Sequence, residues 1–522
     1  MNVGEYIVQS LIKQDIKHVF GIPGNQLTPI LESLYFHRDK IAFVDCRNEA
    51  GASLMAEGYA KSSGNISVCL VSPGPGAANT YIGVLEAFTS CSPLLLITVR
   101  ADKEFDEKGE ERLFHGLDHV EAFRSITKKQ FRLKRAKDTS EVMRAIFEQL
   151  SKGRPGPVLL EIQGRTLGSE TGEEPPAKLS FSLDTDSDRK INEMARRVSG
   201  SKKPVILAGR EVFSARAEKE LLAFAKKINA PVLTTTMGKG VISDYEELSL
   251  GSILNYNYDK QTDAVFADSD LCIAIGVRFT QVDTESWRMK ISVPLLTVSF
   301  DDKYVDRDYR SELSLLGDIK ENLRQLTKMV EHSSSDSERI ERLRSLDEPD
   351  NYQGVLRLIH DVMPENGILV NDVHIEGFSY ARYRVRCCSD YIHSGLSLGI
   401  GYALPAAVGA QLAFPERKVI AFCGDGGFLM NSSELSTVMR YRVPITIIIV
   451  NDNGFGTIKR SQKEYIHDVL GLNLYNPDFM KLADSYHMKG YRVEKTTDVK
   501  AVINMANNMP EPVLVEIVKN WG

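Results

Sequence analysis

Short apolar runs alternate with amphipathic stretches along the whole chain. Runs rich in Val, Ile and Leu stand at 19–22, 41–46, 67–71, 94–99 and 158–162, then at 205–208, 232–235, 271–275 and 295–299, and finally at 368–371, 419–422, 445–450 and 513–518. Between them apolar residues recur at helical spacing, so each run predicts a strand and each interval a helix. Strands separated by whole helices pair in parallel and carry helices on both faces, which predicts an α/β fold of doubly wound parallel sheets. Two stretches interrupt the alternation. Residues 168–188 are polar and contain proline, and residues 331–351 are serine-rich and then charged; both read as linkers. They leave three domains, 1–167, 189–330 and 352–522, as expected of 522 residues, too many for one core.

The third piece carries the clearest chemistry. The run 418–423 breaks into Gly424-Asp425-Gly426-Gly427, and the run 444–450 breaks into Asn451-Asp452-Asn453-Gly454. Strand, turn, helix, strand, turn is one βαβ unit, whose two turns emerge at the same carboxyl edge. Asp425 and Asp452 therefore meet in space. Glycines beside Asp425 leave backbone N–H groups open, and the following helix points its positive end at them. Two carboxylates plus N–H donors suit Mg²⁺ carrying a diphosphate.

Composition removes several other classes. With 43% hydrophobic residues, 26% charged residues and a net charge of −6, the chain has no electrostatic case for nucleic acid or an acidic membrane surface. The opening MNVGEYIVQSLIKQ lacks the basic and apolar regions of a signal peptide, and no run nears the roughly 20 apolar residues of a membrane span. Seven scattered cysteines, including the vicinal pair Cys387-Cys388, read as reduced thiols of a cytoplasmic protein. PGPVLLEI (155–162) and PEPVLVEI (510–517) form a weak internal repeat, which fits two related domains flanking a third.

The 424–456 stretch resembles the cofactor motif of thiamine-diphosphate enzymes, Gly-Asp-Gly followed one helix later by Asn-Asn. Nearly the whole chain is similar to the 2-oxo acid decarboxylase and carboligase branch, most of all to acetohydroxyacid (acetolactate) synthases. The resemblance implies pyrimidine-binding, central and diphosphate-binding domains in that order, with thiamine diphosphate and Mg²⁺ as cofactors. It assigns the metal to Asp425, Asp452 and the carbonyl of Gly454. Asp452 stands where asparagine is usual, with Asn451 and Asn453 as the alternatives. Gly424, Gly426, Gly427 and Gly456 complete the cofactor loops. Glu49, in FVDCRNEAGASLMAEGYA, matches the glutamate that exchanges a proton with the aminopyrimidine; burial beside that apolar ring is expected to raise its pKa. Glu57, two turns on, has no such match. SPGPGAANT resembles the loop bordering the pyrimidine and brings in Ser72 and Asn79, with Asn25 from the preceding turn. HSGLSLGIGYALPAA resembles the segment cradling the cofactor's bend, where Leu398 is a contact and Ile400 the apolar wedge. In RLFHGLDHVEAF, Phe114, His115 and Asp118 fall on Phe-Gln-Glu-x-Asp, so His115 replaces a glutamine and can shuttle a proton. His374, in VNDVHIEGF, falls where relatives contact the diphosphate.

The activity so implied is decarboxylation of a 2-oxo acid and transfer of the acyl-anion equivalent to a second carbonyl. A simple decarboxylase of 2-oxo acid or oxalyl-CoA type is the alternative; a non-catalytic, cofactor-binding regulatory relative is the alternative of another class. Two departures separate the chain from biosynthetic acetohydroxyacid synthases: Arg460-Ser461-Gln462 replaces Gln-Trp-Gln, and the chain reaches Gly522 soon after its last strand, without their lid. MGKG (237–240) and GVRF (276–279) resemble a central domain that binds FAD in some relatives and not in others, so FAD is undecided. Active sites shared between chains imply a homodimer or homotetramer.

Overall fold

The computed structural model describes residues 1–102, 108–253, 260–332, 336–346, 354–374, 382–468 and 470–519. Parts of the expected linker 331–351 and the two ends of the third expected domain lie outside the described residues.

Three six-stranded parallel sheets follow one another along the chain. The first contains β1 (His18–Gly21), β2 (Ala42–Asp45), β3 (Ser67–Leu70), β4 (Leu94–Arg100), β5 (Lys129–Leu133) and β6 (Val158–Gln163), in the order β2-β1-β3-β4-β6-β5. The second contains β7 (Pro204–Ala208), β8 (Val232–Thr234), β9 (Ser249–Ser252), β10 (Leu271–Ile275), β11 (Leu295–Ser299) and β12 (Leu313–Leu316), in the order β12-β11-β10-β7-β8-β9. The third contains β13 (Ile368–Asn371), β14 (Tyr391–His393), β15 (Val419–Gly424), β16 (Thr446–Asn451), β17 (Lys489–Val493) and β18 (Val513–Val518), in the order β14-β13-β15-β16-β18-β17.

Every strand read from the apolar runs is present. The strands that reading missed (β5, β9, β12, β14 and β17) all lie at sheet edges. An interior strand has both faces under helices and both backbone edges paired, so it is mostly apolar; β4 and β6 are buried at every position. Edge strands such as Lys129–Leu133 and Lys489–Val493 are half-exposed and carry Lys, Gln and Arg, so no apolar run marks them.

The first and third sheets have the same strand order, position for position. The weak repeat is thus the fifth-placed strand of each sheet, β6 and β18. The likeness reaches single side chains. Arg132 faces Glu161 across β5 and β6, and Arg492 faces Glu516 across β17 and β18. Each arginine bonds its glutamate and also an aspartate that caps a helix: Asp118 before His119–Ala122, and Asp478 before Phe479–Ser485.

The chain forms two compact units. One comprises Met1–Phe181, Gly367–Ile375 and Ile392–Gly522, and so joins the first and third sheets; the other comprises Ser182–Asn366 and Glu376–Tyr391, and holds the second. In the first unit the helix Glu49–Ser63 packs against the helix Ala403–Ala413, and both are buried on nearly every side. Their sequences are rich in Ala and Gly, which lets the backbones approach closely. A Cβ on Gly409 would collide with the carbonyl of Met55, and one on Gly58 with that of Ala406. One continuous core accordingly includes Met55, Tyr59 and Phe20 of the first piece with Leu404, Phe428 and Ile447 of the third.

Gly409→Ala is expected to destabilise this unit by about 1–3 kcal/mol, the usual cost of overpacking. Thermal unfolding checks it: the Gly409→Ala midpoint falls, whereas that of Gly168→Ala, whose added Cβ meets nothing within 4 Å, stays near wild type.

Candidate active site

The pairing of β15 with β16 runs to Gly424 opposite Val450, so the acidic turns leave the sheet side by side. Asp425 opens the helix Asp425–Met430. Its Oδ2 accepts the N–H of Gly454 at 3.0 Å and the amide Nδ2 of Asn476 at 2.6 Å. Its Oδ1 is buried and has no hydrogen-bond partner among the described residues. Burial raises the Asp425 pKa. It also lifts that of Asp452, with the negative charge of Asp425 adding to the effect, to about 6. Lys459 opposes this, its Nζ bonding the carbonyls of Asp452 at 3.3 Å and Asn453 at 2.8 Å. Two neighbouring acids, one with a bare buried oxygen, are a site that a hard divalent cation fits. No group of three or more His, Cys, Asp or Glu side chains suited to a metal occurs among the described residues, so a cation here relies on backbone oxygen as well.

The amide of Asn451 is committed on both sides. Its Oδ1 accepts from Asn453 N at 3.1 Å and Asn476 Nδ2 at 3.0 Å, and its Nδ2 donates to Glu516 at 2.7 Å. Of the three candidates of the second turn, that leaves Asp452 and Asn453.

A cleft of about 120 Å³ opens over this pair, lined among others by His374, Ile400, Asp425, Asp452, Gly454 and Ile458. Gly424, Gly426, Gly427 and Gly456 line it too. His374 stands edge-on to Phe422, with ring centroids 4.3 Å apart, and neither ring nitrogen has a hydrogen-bond partner among the described residues. Burial holds its pKa down at about 3, so the ring is neutral and has an N–H to offer an anion.

The glycines differ from expectation in one respect. A Cβ on Gly426 would lie 2.5 Å from the Phe455 ring, and one on Gly427 3.2 Å from the Asp372 carboxyl. Packing thus requires them, besides any openness to a ligand. The helix after Asp425 is also shorter than expected, ending at Met430 before a 3₁₀ turn at Ser432–Glu434.

The segment carrying Leu398 and Ile400 is tied down from two sides, by residues the sequence did not point to. Asp372 accepts the N–H groups of Val373, Gly401 and Ala403 at 2.7, 3.1 and 3.2 Å. Glu86 accepts from Ser394, Gly395, Ser397 and Lys61, all within the interior. Burial opposes its ionisation, but the Lys61 charge and these donors outweigh burial and hold its pKa below the ordinary value. Glu57, matched to nothing in the sequence, belongs here: it accepts from Ser90, Ser92 and Tyr402 at 2.8, 3.0 and 2.7 Å. Leu398 itself is exposed, with a left-handed φ of 45°.

The other half of the expected site lies at the carboxyl edge of the first sheet. Glu49 is the first residue of its helix, capped by Asn48, whose side chain accepts the Ala50 N–H at 2.8 Å. Asn79 Nδ2 donates to Glu49 Oε2 at 3.1 Å. Gly76 lies between Glu49 and Ser72, and the Ser72 hydroxyl abuts Gly24, next to the exposed Asn25. The structure thus gathers Glu49, Ser72, Asn79 and Asn25. Glu49 is only half-buried, among polar groups, so the apolar neighbour expected for it is not supplied by this chain.

His115 has a left-handed φ of 57° and stacks at 3.9 Å on Phe114, which is 80% exposed. Its Nδ1 lies 3.4 Å from Nε2 of Gln26, a residue the sequence reading passed over. The backbone bends sharply here: a Cβ on Gly74, itself at φ 60°, would lie 2.8 Å from the His115 carbonyl. His119 is fully buried and holds that bend. Its Nε2 accepts the Gly74 N–H at 3.0 Å and its Nδ1 faces Glu161 at 2.8 Å.

Among the described residues no hydrogen bond joins these halves directly. The cleft at Asp425 is lined only by residues between 373 and 458, and no hydrogen bond among the described residues joins it to Glu49, Asn79 or His115. Besides the bonds of Glu57 and Glu86, the two pieces are linked by Glu434, which accepts the N–H groups of Arg47 and Asn48 at 3.1 and 3.0 Å, just before the Glu49 helix.

Residues 1–122 match the family described as thiamine pyrophosphate enzyme, N-terminal TPP binding domain; residues 191–326 match its central domain, and residues 376–517 its C-terminal TPP binding domain. Over the full length, the chain is similar to proteins named probable acetolactate synthase large subunit. That of Methanocaldococcus jannaschii is 30% identical, the alignment covering 99% of this chain and 92% of the relative. That of Methanococcus aeolicus is 29% identical with the same coverage. The acetolactate synthase large subunit of Lactococcus lactis is 26% identical over 98% of this chain and 92% of its own. The paired acids, the glycine-lined cleft and these matches lead to one conclusion: the chain belongs to the thiamine pyrophosphate enzyme family.

Proposed function

We propose that this protein is a thiamine-diphosphate- and Mg²⁺-dependent enzyme that decarboxylates a 2-oxo acid and joins the remaining acyl group to a second carbonyl compound. The single observation that carries the reading is the Asp425–Asp452 pair, with a bare buried oxygen on Asp425 inside the glycine-lined cleft. The named relatives support the carboligating outcome. When bound, thiamine diphosphate supplies the nucleophilic carbon and electron sink that carbon–carbon bond cleavage requires.

The chain's own residues then have separable tasks. Asp425, Asp452 and the Gly454 carbonyl hold the cation, and the neutral His374 ring donates to the diphosphate. Ile400 supplies apolar packing beneath the cofactor, on a segment that Asp372 and Glu86 keep in place. Glu49 exchanges a proton with the aminopyrimidine, steadied by Asn79. His115 stands beside it as a group able to deliver or take up a proton. Because one chain keeps Glu49 and Asp425 in separate half-sites, the active species is at least a homodimer, each site drawing one half from each chain.

His115 also favours a second reading, since a proton donor in place of glutamine promotes release of an aldehyde. A panel of 2-oxo acids, with and without aldehyde or keto acceptors, followed by CO₂ release and product mass, tests both. Carboligation product from the wild type is expected, with its ratio to aldehyde rising in His115→Gln. Aldehyde alone from every donor establishes the simple decarboxylase, and no CO₂ from any donor defeats the enzymatic reading.

For the cation, Asp425→Ala is expected to weaken Mg²⁺-dependent cofactor retention by more than the roughly 10–100-fold that loss of an outer partner costs. Asp452→Asn, which keeps an oxygen ligand, is expected to retain most of it. Cofactor retained on desalting at stepped Mg²⁺ concentrations measures both; normal retention by Asp452→Asn with loss in Asn451→Ala reassigns the ligand.

Glu49→Gln is expected to lower turnover by about 10²–10⁴-fold, the usual contribution of a proton-transfer group. Mixed with Asp425→Ala under subunit exchange, it is expected to regain activity, because the mixed dimer has one intact site. Activity in a species that sedimentation shows to be a monomer contradicts the shared site.

A further inference from the structure

We infer that Asn476 belongs to the cation site, as the positioning residue that fixes which oxygen of Asp425 faces the cation; this rests on the cation reading above. A carboxylate on a short side chain can turn either oxygen to a ligand. Here Oδ2 is saturated by two donors, the Gly454 N–H and the Asn476 amide, while Oδ1 is left bare in the interior. A buried oxygen without a partner is costly, so this arrangement suits a group that supplies the missing interaction from the Oδ1 side.

The direction of the amide is settled by its neighbours. Nδ2 touches Asp425 Oδ2 at 2.6 Å and Asn451 Oδ1 at 3.0 Å, and both are acceptors; a flipped amide would set oxygen against oxygen. Asn451 Oδ1 is in turn aimed by its Nδ2 bond to Glu516. A neutral donor is the right chemistry for this place. Lysine or arginine would orient Asp425 equally well, but its charge would oppose the cation. Asn476 Oδ1, also buried without a partner among the described residues, is one more acceptor that a hydrated cation can satisfy.

Asn476 does not rest on a loose loop. Asn473 bridges Gly454, Leu474 N–H donates to Asn453 at 3.1 Å, and Asp478 is held by Arg492, which also binds Glu516. The related first half makes an internal comparison. Asp118 there has the place of Asp478, and the residue two before it is Gly116 where Asn476 stands. The amide occurs in the half that has the paired acids and is missing from the half without them.

The test is titration of the full chain, with thiamine diphosphate present, by Mn²⁺ followed through the EPR signal of the free ion. Asn476→Ala and the near-isosteric Asn476→Leu are expected to raise the Mn²⁺ Kd by roughly 10–100-fold, as loss of an outer partner of a metal ligand does. Asn476→Ser, which keeps a donor, is expected to fall between them and wild type, and Tyr475→Ala, an exposed neighbour, to match wild type. Thermal unfolding without metal is expected to be alike for all, with only the stabilisation by Mn²⁺ reduced at position 476. Wild-type affinity in whichever of the Ala and Leu variants folds overturns the inference, as does an equal loss in Tyr475→Ala. If the wild type itself takes up no Mn²⁺, the cation reading fails, and this inference with it.

Discussion

The close backbone approach in the first unit between the helices Glu49–Ser63 and Ala403–Ala413 governs what the rest can do. With Gly58 and Gly409 at the contact, two sheets far apart in sequence share one core. The same contact constrains chemistry. The Glu49 helix starts under Glu434 of the third piece, yet the cleft at Asp425 is lined by third-piece residues alone. The exposed Phe114 beside His115, and the exposed Leu398, Met430 and Ile458 of the third piece, are apolar groups of the kind a second copy would cover.

Electrostatics then narrows the chemistry of the third-sheet half. Burial raises the pKa of both Asp425 and Asp452, and the charge of Asp425 adds to the shift of Asp452. Side by side, two ionised carboxylates disfavour one another, and a shared proton or a cation between them relieves that. The neutral His374 across the same cleft supplies hydrogen bonding without charge. A polyanion and a divalent metal together complete such a pocket better than either does alone.

Much of this was legible in the sequence, for identifiable reasons. Interior strands announce themselves because burial on both faces demands uninterrupted Val, Ile and Leu, as in β4 and β16. Most edge strands do not, because half their surface is wet; β2 is the edge strand that an apolar run did mark. The meeting of Asp425 with Asp452 followed from parallel topology alone, whereas Glu49, Ser72 and Asn79 were named by the family resemblance, and the structure brings them together. Asn476, Gln26 and Glu86 stayed hidden for a different reason. Each acts through one hydrogen bond, or a few, to a residue remote in the chain, and an isolated Asn, Gln or Glu has no local pattern to betray it. Glu57, which matched nothing in the sequence, is wholly enclosed, because its helix is buried on nearly every side.

The matched Asp–Arg–Glu sets, Asp118–Arg132–Glu161 and Asp478–Arg492–Glu516, point to descent from one ancestral half that was copied and fused. Each set fastens a helix start to the penultimate strand, and each glutamate reaches one step further to a residue that differs between the halves. Glu161 grips His119 and, through it, the bend at Gly74; Glu516 grips Asn451 at the acidic turn. The scaffold was kept and its last reach respecialised. One frame thus ends in two unlike reaches, a glutamate that braces a histidine under a backbone bend in the first sheet and a glutamate that aims an amide at the acidic turn in the third.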